Sequence, residues 1–263
     1  MNKPYIIRVS SQKGGVGKTA ISVNFASALR SLGYRTLVID FDFTNPSVGF
    51  HLGLEGINSG TKAAMEKKTA LSSVVSIHEP TGMHVIAGEV KGWDVLPDKS
   101  VLSSFVNGLK KTNYNFIIVD TAPGFEPEAE LNYFDEGLII TTPDVPSCAS
   151  AVRLSHKYNR SKLRHSLIVN KIRDTRYELS FDDIMDMYGG DYASQLPEDD
   201  AVPEGIAAHI PAYNLKPRSR FSRSIFSLVK RHVSAIDTDE PPIVMHKRGL
   251  WHRFSTKFPS RKR

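Results

Sequence analysis

The run Val9 to Ser22, VSSQKGGVGKTAIS, carries residue types that hold phosphate. Gly14, Gly15 and Gly17, with Val16 between them, let a backbone approach oxygen atoms closely and turn its N–H groups inward. A helix starting just after the loop adds the positive end of its dipole. Lys18 has the reach for outer phosphates, and the Thr19 hydroxyl suits a Mg²⁺ ion. Two residues depart from the usual G-x-x-x-x-G-K-[ST] pattern. Gln12 stands where its first glycine is expected, and a second lysine, Lys13, fronts the loop.

Carboxylates follow at two further points. "VIDFDFTNPS" places Asp40 and Asp42 two residues apart, so strand alternation sends both side chains the same way. "NFIIVDTAPGF" places Asp120 after four apolar residues, where a carboxylate can hold a Mg²⁺-bound water. In "SLIVNKIRD", Asn170 ends an apolar run, and its amide offers both a donor and an acceptor to a purine edge.

Short apolar runs alternating with helical patterns predict the elements that position these groups. YIIRVS, RTLVID, MHVIA, NFIIVD, GLIITT and SLIVN read as six strands. Runs apolar throughout fit strands buried on both faces. "ISVNFASALRSLG" reads as a helix with Ile21, Phe25, Leu29 and Leu32 on one face, stopped by Gly33. The expectation is a doubly wound α/β fold with a mostly parallel sheet, in which ligands bind at the carboxyl edge. Residues 1–234 form its body, 235–246 a Pro-containing linker and 247–263 a basic tail.

Bulk properties narrow the class. The 263 residues are 40% hydrophobic and 24% charged, ordinary for a folded globular chain. The single Cys148 excludes an internal disulfide and an intramolecular cysteine cluster, and it reads as a buried apolar residue in a reducing cytosol. No signal peptide is recognisable, and no run approaches the ~20 apolar residues that span a bilayer. The net charge of +6 is concentrated at one end: beyond Glu240 there are seven strong bases and no acids. That end suits a polyanionic partner.

KGGVGKT and the ordered motifs after it resemble the deviant Walker A ATPases, which include the MinD and ParA groups, over roughly residues 5–233. The resemblance implies a P-loop fold, ATP and Mg²⁺ as cofactors, and slow, partner-stimulated hydrolysis. It implies that Lys13 crosses to a partner subunit's phosphates in an ATP-bound homodimer and that Asp42 positions the attacking water. It gives Asp40 and Asp120, with Thr19, to the metal, and Asn170 and the backbone of Pro197, Glu198 and Asp199 to the adenine. Ala20 departs from the family's usual Thr or Ser, so one contact near the α-phosphate is missing. Asn45-Pro46-Ser47 and Thr121 to Gly124 resemble its two switch segments, and the absence of a ParA-style "DPQ" favours the MinD side.

Two basic segments bear on partners. In "GLWHRFSTKF", Leu250, Trp251, Phe254 and Phe258 fall within an arc of about 100° on a helix, ended by Pro259. A short basic helix with such a face suits an anionic membrane surface, and two tails on a dimer would bind by avidity. "KPRSRFSRSIFSLVKRHV" predicts a helix packed through Ile225, Phe226, Leu228, Val229 and Val233, with Lys216, Arg218, Arg220 and Arg223 preceding it or facing away. The leading expectation is a MinD-like ATPase switch on the inner face of the cell membrane that positions a division or other machine and answers to an activating protein. A ParA-type partition ATPase that binds nonspecific DNA is the alternative. A second alternative is a carrier ATPase of the wider fold group that delivers metal clusters or tail-anchored proteins, and the lack of paired cysteines argues against the cluster carriers.

Overall fold

The protein is described from a computed structural model covering residues 3–54, 60–66, 70–89, 98–124, 128–190 and 193–237. The tail bearing Leu250, Trp251, Phe254 and Phe258 lies outside these described residues, as does most of the stretch read as linker. The elements run β1 (Tyr5–Ser10), α1 (Lys18–Ser31), β2 (Thr36–Phe41), α2 (Val48–His51), α3 (Thr61–Met65), α4 (Leu71–Val74), β3 (Ser76–His78) and β4 (Met83–Ile86). They continue with α5 (Lys99–Leu109), β5 (Phe116–Thr121), a 3₁₀ turn (Glu128–Tyr133), β6 (Glu136–Thr141), α6 (Val145–Arg160) and β7 (Arg164–Ile172). The last are α7 (Phe181–Tyr188), β8 (Ala193–Pro197), α8 (Ala201–Ala207), α9 (Ala212–Leu215) and α10 (Arg220–Asp237).

The strands form one sheet in the order β3-β4-β2-β5-β1-β6-β7-β8, parallel throughout except for β3 against β4. Each of the six apolar runs is a strand. Every residue of β2, β5 and β6 is buried, as strands covered on both faces require. Sequence patterning passed over β3 and β8. The first has three residues with its edge open, and the second, ASQLP, lacks an apolar run.

Alternation divides the core between the two faces. Ile7, Val9, Val38 and Ile118 pack with Phe25 and Leu29 of α1 and with Ile225, Leu228 and Val229 of α10. Ile6, Leu37, Ile39 and Val119 pack instead with Leu102 and Phe105 of α5, Leu154 of α6 and Ile184 of α7. Burying each such side chain contributes about 1.5–3 kcal/mol. Cys148 is buried, as expected. α10 packs through the apolar positions read from its sequence, although Phe226 is only half-buried and stacks on Tyr213 at 6.0 Å. It also extends to Asp237, three residues into the stretch read as linker, because Ala235 and Ile236 continue its apolar face.

β1 holds the centre. The chain leaves it for β2 on one side and later passes from β5 to β6 on the other. Strand order therefore reverses at β1, and the crevice of a doubly wound sheet opens at such a point. The glycine-rich loop is the connection from β1 to α1.

Candidate phosphate and nucleotide site

Residues 11–17 form the loop, and Gly17 starts α1 with φ 95° and no side-chain cap. Glycine is required there twice over. The backbone is left-handed, and a Cβ would sit 2.4 Å from Asn170 Nδ2. Lys18 is buried and donates to Ser11 Oγ at 3.0 Å, while the Ser11 hydroxyl donates to the Lys13 carbonyl at 2.7 Å. A buried ammonium beside a glycine-rich loop is a fitting cradle for a polyanion.

Three carboxylates lie beside it, on neighbouring strands. Asp40 and Asp120 are register partners across β2 and β5, and both are buried. Burial raises the Asp40 carboxyl well above the usual range, and the charge of Asp120 raises it further. N–H groups of Val48, Asp42 and Ser47 only partly offset this. Burial likewise raises Asp120, against the hydroxyls of Thr19 and Ser22 and the ammonium of Lys18. Thr19 Oγ1 donates to Asp120 Oδ2 at 2.6 Å and Ser22 Oγ to Oδ1 at 2.8 Å.

Asp40 has a further structural duty. Its Oδ2 accepts from Ser47 N (2.8 Å) and Val48 N (2.9 Å), and its Oδ1 from Asp42 N (3.0 Å). It thereby fixes the segment after β2, and Ser47 Oγ comes within 2.8 Å of Thr19 Oγ1. Asp42 Oδ1 accepts from Thr44 and Asn45, whereas its Oδ2 makes no hydrogen bond among the described residues.

These residues fit a Mg²⁺ ion. Among the described residues no cluster of three or more His, Cys, Asp or Glu side chains forms an all-protein metal cage. Magnesium does not ask for one: it takes one or two carboxylates or hydroxyls, phosphate oxygens and retained waters. Thr19 and Asp120 supply such ligands directly or through water. The mutual repulsion of Asp40 and Asp120 is what a divalent cation would relieve.

At the front of the loop, Lys13 turns away from it. Its ammonium donates to Asp144 Oδ1 (3.3 Å) and Ser147 Oγ (3.2 Å) at the start of α6. Asp144 caps that helix by accepting from Ser147 N at 2.9 Å. Partial burial would raise its carboxyl, but Thr142, Ser147 and Lys13 together bring it down to about 2.

On the base side, Asn170 is buried and donates through Nδ2 to the Val16 carbonyl at 2.8 Å. Its amide thus supports the phosphate loop. Pro197 ends β8, and the Glu198 N–H donates to Ile172 O at 2.9 Å. The Glu198 carboxylate is paired with Arg173. Asp199 accepts from Ala201 N (2.9 Å) and Phe221 N (3.1 Å), so its side chain ties α8 and α10 together. The side chains of Glu198 and Asp199 are therefore occupied within the protein. Gly14 approaches the segment after β5, with Pro123 Cγ 3.9 Å from where its Cβ would be, and Ala20 is buried.

Sequence reasoning brought Gly14 to Thr19, Asp40, Asp42, Asp120 and Asn170 to one edge of the sheet, and there the structure has them. It passed over Ser11, Ser22, Asp144, Ser147 and Lys171. Serines at these spacings give no signal of their own, and Asp144 lies 131 residues from its lysine in the chain.

Comparison with known proteins gives the family and the fold. The CobQ/CobB/MinD/ParA nucleotide-binding domain family matches residues 7–212. The septum site-determining protein MinD of Escherichia coli is 27% identical over 215 residues, 75% of this chain and 79% of that protein. The MinC:MinD cell division protein complex of Aquifex aeolicus superposes with a TM-score of 0.78 at 25% identity, covering 88% of this chain and 96% of that one. MinD of Pyrococcus horikoshii, solved with Mg-ADP, has the same fold: TM-score 0.77 at 21% identity, covering 91% and 100%.

Proposed function

The chain belongs to the CobQ/CobB/MinD/ParA nucleotide-binding domain family, as a MinD-like P-loop ATPase, and from that premise we propose that ATP makes it a membrane-bound homodimer and hydrolysis releases it. One observation carries the reading. Lys13 belongs to the phosphate loop, yet its ammonium lies at the surface, with its side chain 47% exposed. A cation so placed is available to a second copy. Two facing triphosphates repel, and a cation lent by each protomer would make association contingent on the nucleotide.

The chain's own groups then divide the chemistry. Lys18 neutralises the outer phosphates. Asp42 Oδ2 orients the attacking water, its carboxylate held in place by Thr44 and Asn45 through Oδ1. Thr19, Asp40 and Asp120 would hold a Mg²⁺ ion, which would supply charge neutralisation at the phosphate oxygens. The Ser11 carbonyl accepts from Gly124 N at 2.9 Å, which joins the segment after β5 to the phosphate loop. Release of that segment on hydrolysis would reach the dimer face and the activating protein.

Membrane attachment is assigned to the tail face of Leu250, Trp251, Phe254 and Phe258, docked on the inner leaflet from the cytoplasm. No described helix is long and apolar enough to cross a membrane. The positioning of a division or other cellular machine follows from reversible attachment. The rival reading, a DNA matrix, would draw on Lys216, Arg218, Arg220 and Arg223; Lys216 pairs with Glu204 and Arg220 lies 3.8 Å from Asp174, exposed pairs as easily given up as that of Lys13.

Co-sedimentation with anionic vesicles or with DNA, in ATP or ADP, tests this on the whole chain and on one ending at Met245. ATP-dependent vesicle binding that disappears with the tail is expected. Binding that survives its loss removes the anchor, and ATP-dependent binding to DNA alone moves the protein to the partition class.

A further inference from the structure

The end of β7 is built irregularly. Its register against β8 shifts between Val169 and Ile172, and Lys171 has a left-handed backbone with φ 60°. A regular strand would send Asn170 and Lys171 to opposite faces. The bulge aims both at the phosphate loop: Asn170 Nδ2 donates to Val16 O at 2.8 Å, and Lys171 Nζ donates to Gly15 O at 2.7 Å. Two successive carbonyls of the loop are thus held from the same side by successive residues of one strand.

A peptide's C=O and N–H point in opposite directions. Drawing the Gly15 and Val16 carbonyls toward β7 therefore turns the N–H groups of Val16 and Gly17 the other way, toward the loop's concave side. The lysine ammonium also polarises the Gly15–Val16 peptide, making its N–H a stronger donor. A lysine is an ill-suited occupant of a left-handed position, where Gly or Asn is favoured, and strain of this kind persists where geometry serves a site.

The geometry points to Lys171 as a positioning residue for phosphate binding, one that orients loop N–H donors by holding a loop carbonyl from behind and that touches no phosphate itself. The inference rests on reading the loop as a nucleotide phosphate site. Its action is confined to the phosphate end of the ligand.

ADP is the probe, with the full chain. Lys171→Met keeps the stem and the backbone strain and removes the ammonium, whereas Lys171→Gly removes both ammonium and strain. Titration calorimetry should show ADP binding weakened about three- to tenfold in both. The ³¹P resonance of the bound ADP β-phosphorus should shift from its wild-type position, and Lys171→Arg should restore most of the affinity and the resonance. The nucleotide-free melting temperature of Lys171→Gly should not fall below wild type, which separates orientation of the loop from global stability. Wild-type ADP affinity in both the Met and Gly variants overturns the inference. So does an affinity loss that follows a falling nucleotide-free melting temperature with the β-phosphorus resonance unchanged. Lys18→Ala is the control: if it binds ADP as wild type does, the phosphate-site reading itself fails.

Discussion

Lys13 and Asp144 meet within one protomer, Nζ to Oδ1 at 3.3 Å, although one belongs to the phosphate loop and the other caps the helix after β6. Both side chains are nearly half exposed, and pairs of that kind contribute only about 0–1 kcal/mol. The contact is strong enough to give the lysine a resting place and weak enough to be given up. In the proposed dimer it must be given up. Asp144→Asn keeps an oxygen for the helix cap and removes the competing charge. ATP-dependent association should then begin at a protein concentration lower by up to about fivefold. Lys13→Ala should abolish it, and sedimentation velocity reads both. Lys13→Ala pairing as readily as wild type at saturating ATP would refute the dimer scheme.

Asp120→Asn tests the strain between the buried carboxylates. The Thr19 and Ser22 hydroxyls can adjust to an amide, while the repulsion around Asp120 disappears. The sign follows from the raised carboxyl. A folded state that holds its protons more tightly than the unfolded chain loses stability as pH rises above the ordinary aspartate range. At neutral pH the nucleotide-free variant should gain about 1 kcal/mol. The added stabilisation from Mg²⁺ with nucleotide should be lost, as denaturant melts would show.

Gly17→Ala should cost about 2 kcal/mol, from a left-handed residue that gains a Cβ and from displacement of Asn170. Nucleotide affinity should fall in parallel, because the same displacement frees the Val16 carbonyl. An unchanged urea midpoint would show that the loop yields at no cost.

The opposite edge of the sheet offers a pH test. Glu136 is buried at the start of β6, with His232 Nε2 of α10 at 2.8 Å and the Ser166 hydroxyl at 3.1 Å. Burial would raise its carboxyl, but His232, Arg164 and Ser166 outweigh this and hold it below the usual value. Its stabilisation is therefore complete above the ordinary glutamate range and lost as pH falls through the lowered value. Glu136→Gln should flatten the acid limb of a stability–pH curve. His232→Ala, which removes a polar partner of the buried carboxylate, should cost about 1–3 kcal/mol near neutrality.

How much of this could be read from the chain depended on how local each signal was. Strands buried on both faces announce themselves as apolar runs, and the phosphate loop as a compact motif, so the sheet and Gly14 to Thr19 were legible. β8 was not, because ASQLP gains its burial from α10 and β7 and carries little apolar content of its own. Lys171 was hidden for a different reason. Alternation assigns it to the face away from Asn170, and only the bulge reverses that. The engagement of Lys13 by Asp144 depends on a β6–α6 junction brought alongside β1 by the sheet order, which no spacing encodes.

Asp199 remains the most economical joint in the molecule. With one oxygen on the first turn of α8 and the other on that of α10, it joins the segment read from sequence as the base-lining strap to the last described helix. A shift of that strap by a bound purine would drag the root of α10 with it. One carboxylate thus couples the first turn of α8 to the first turn of α10.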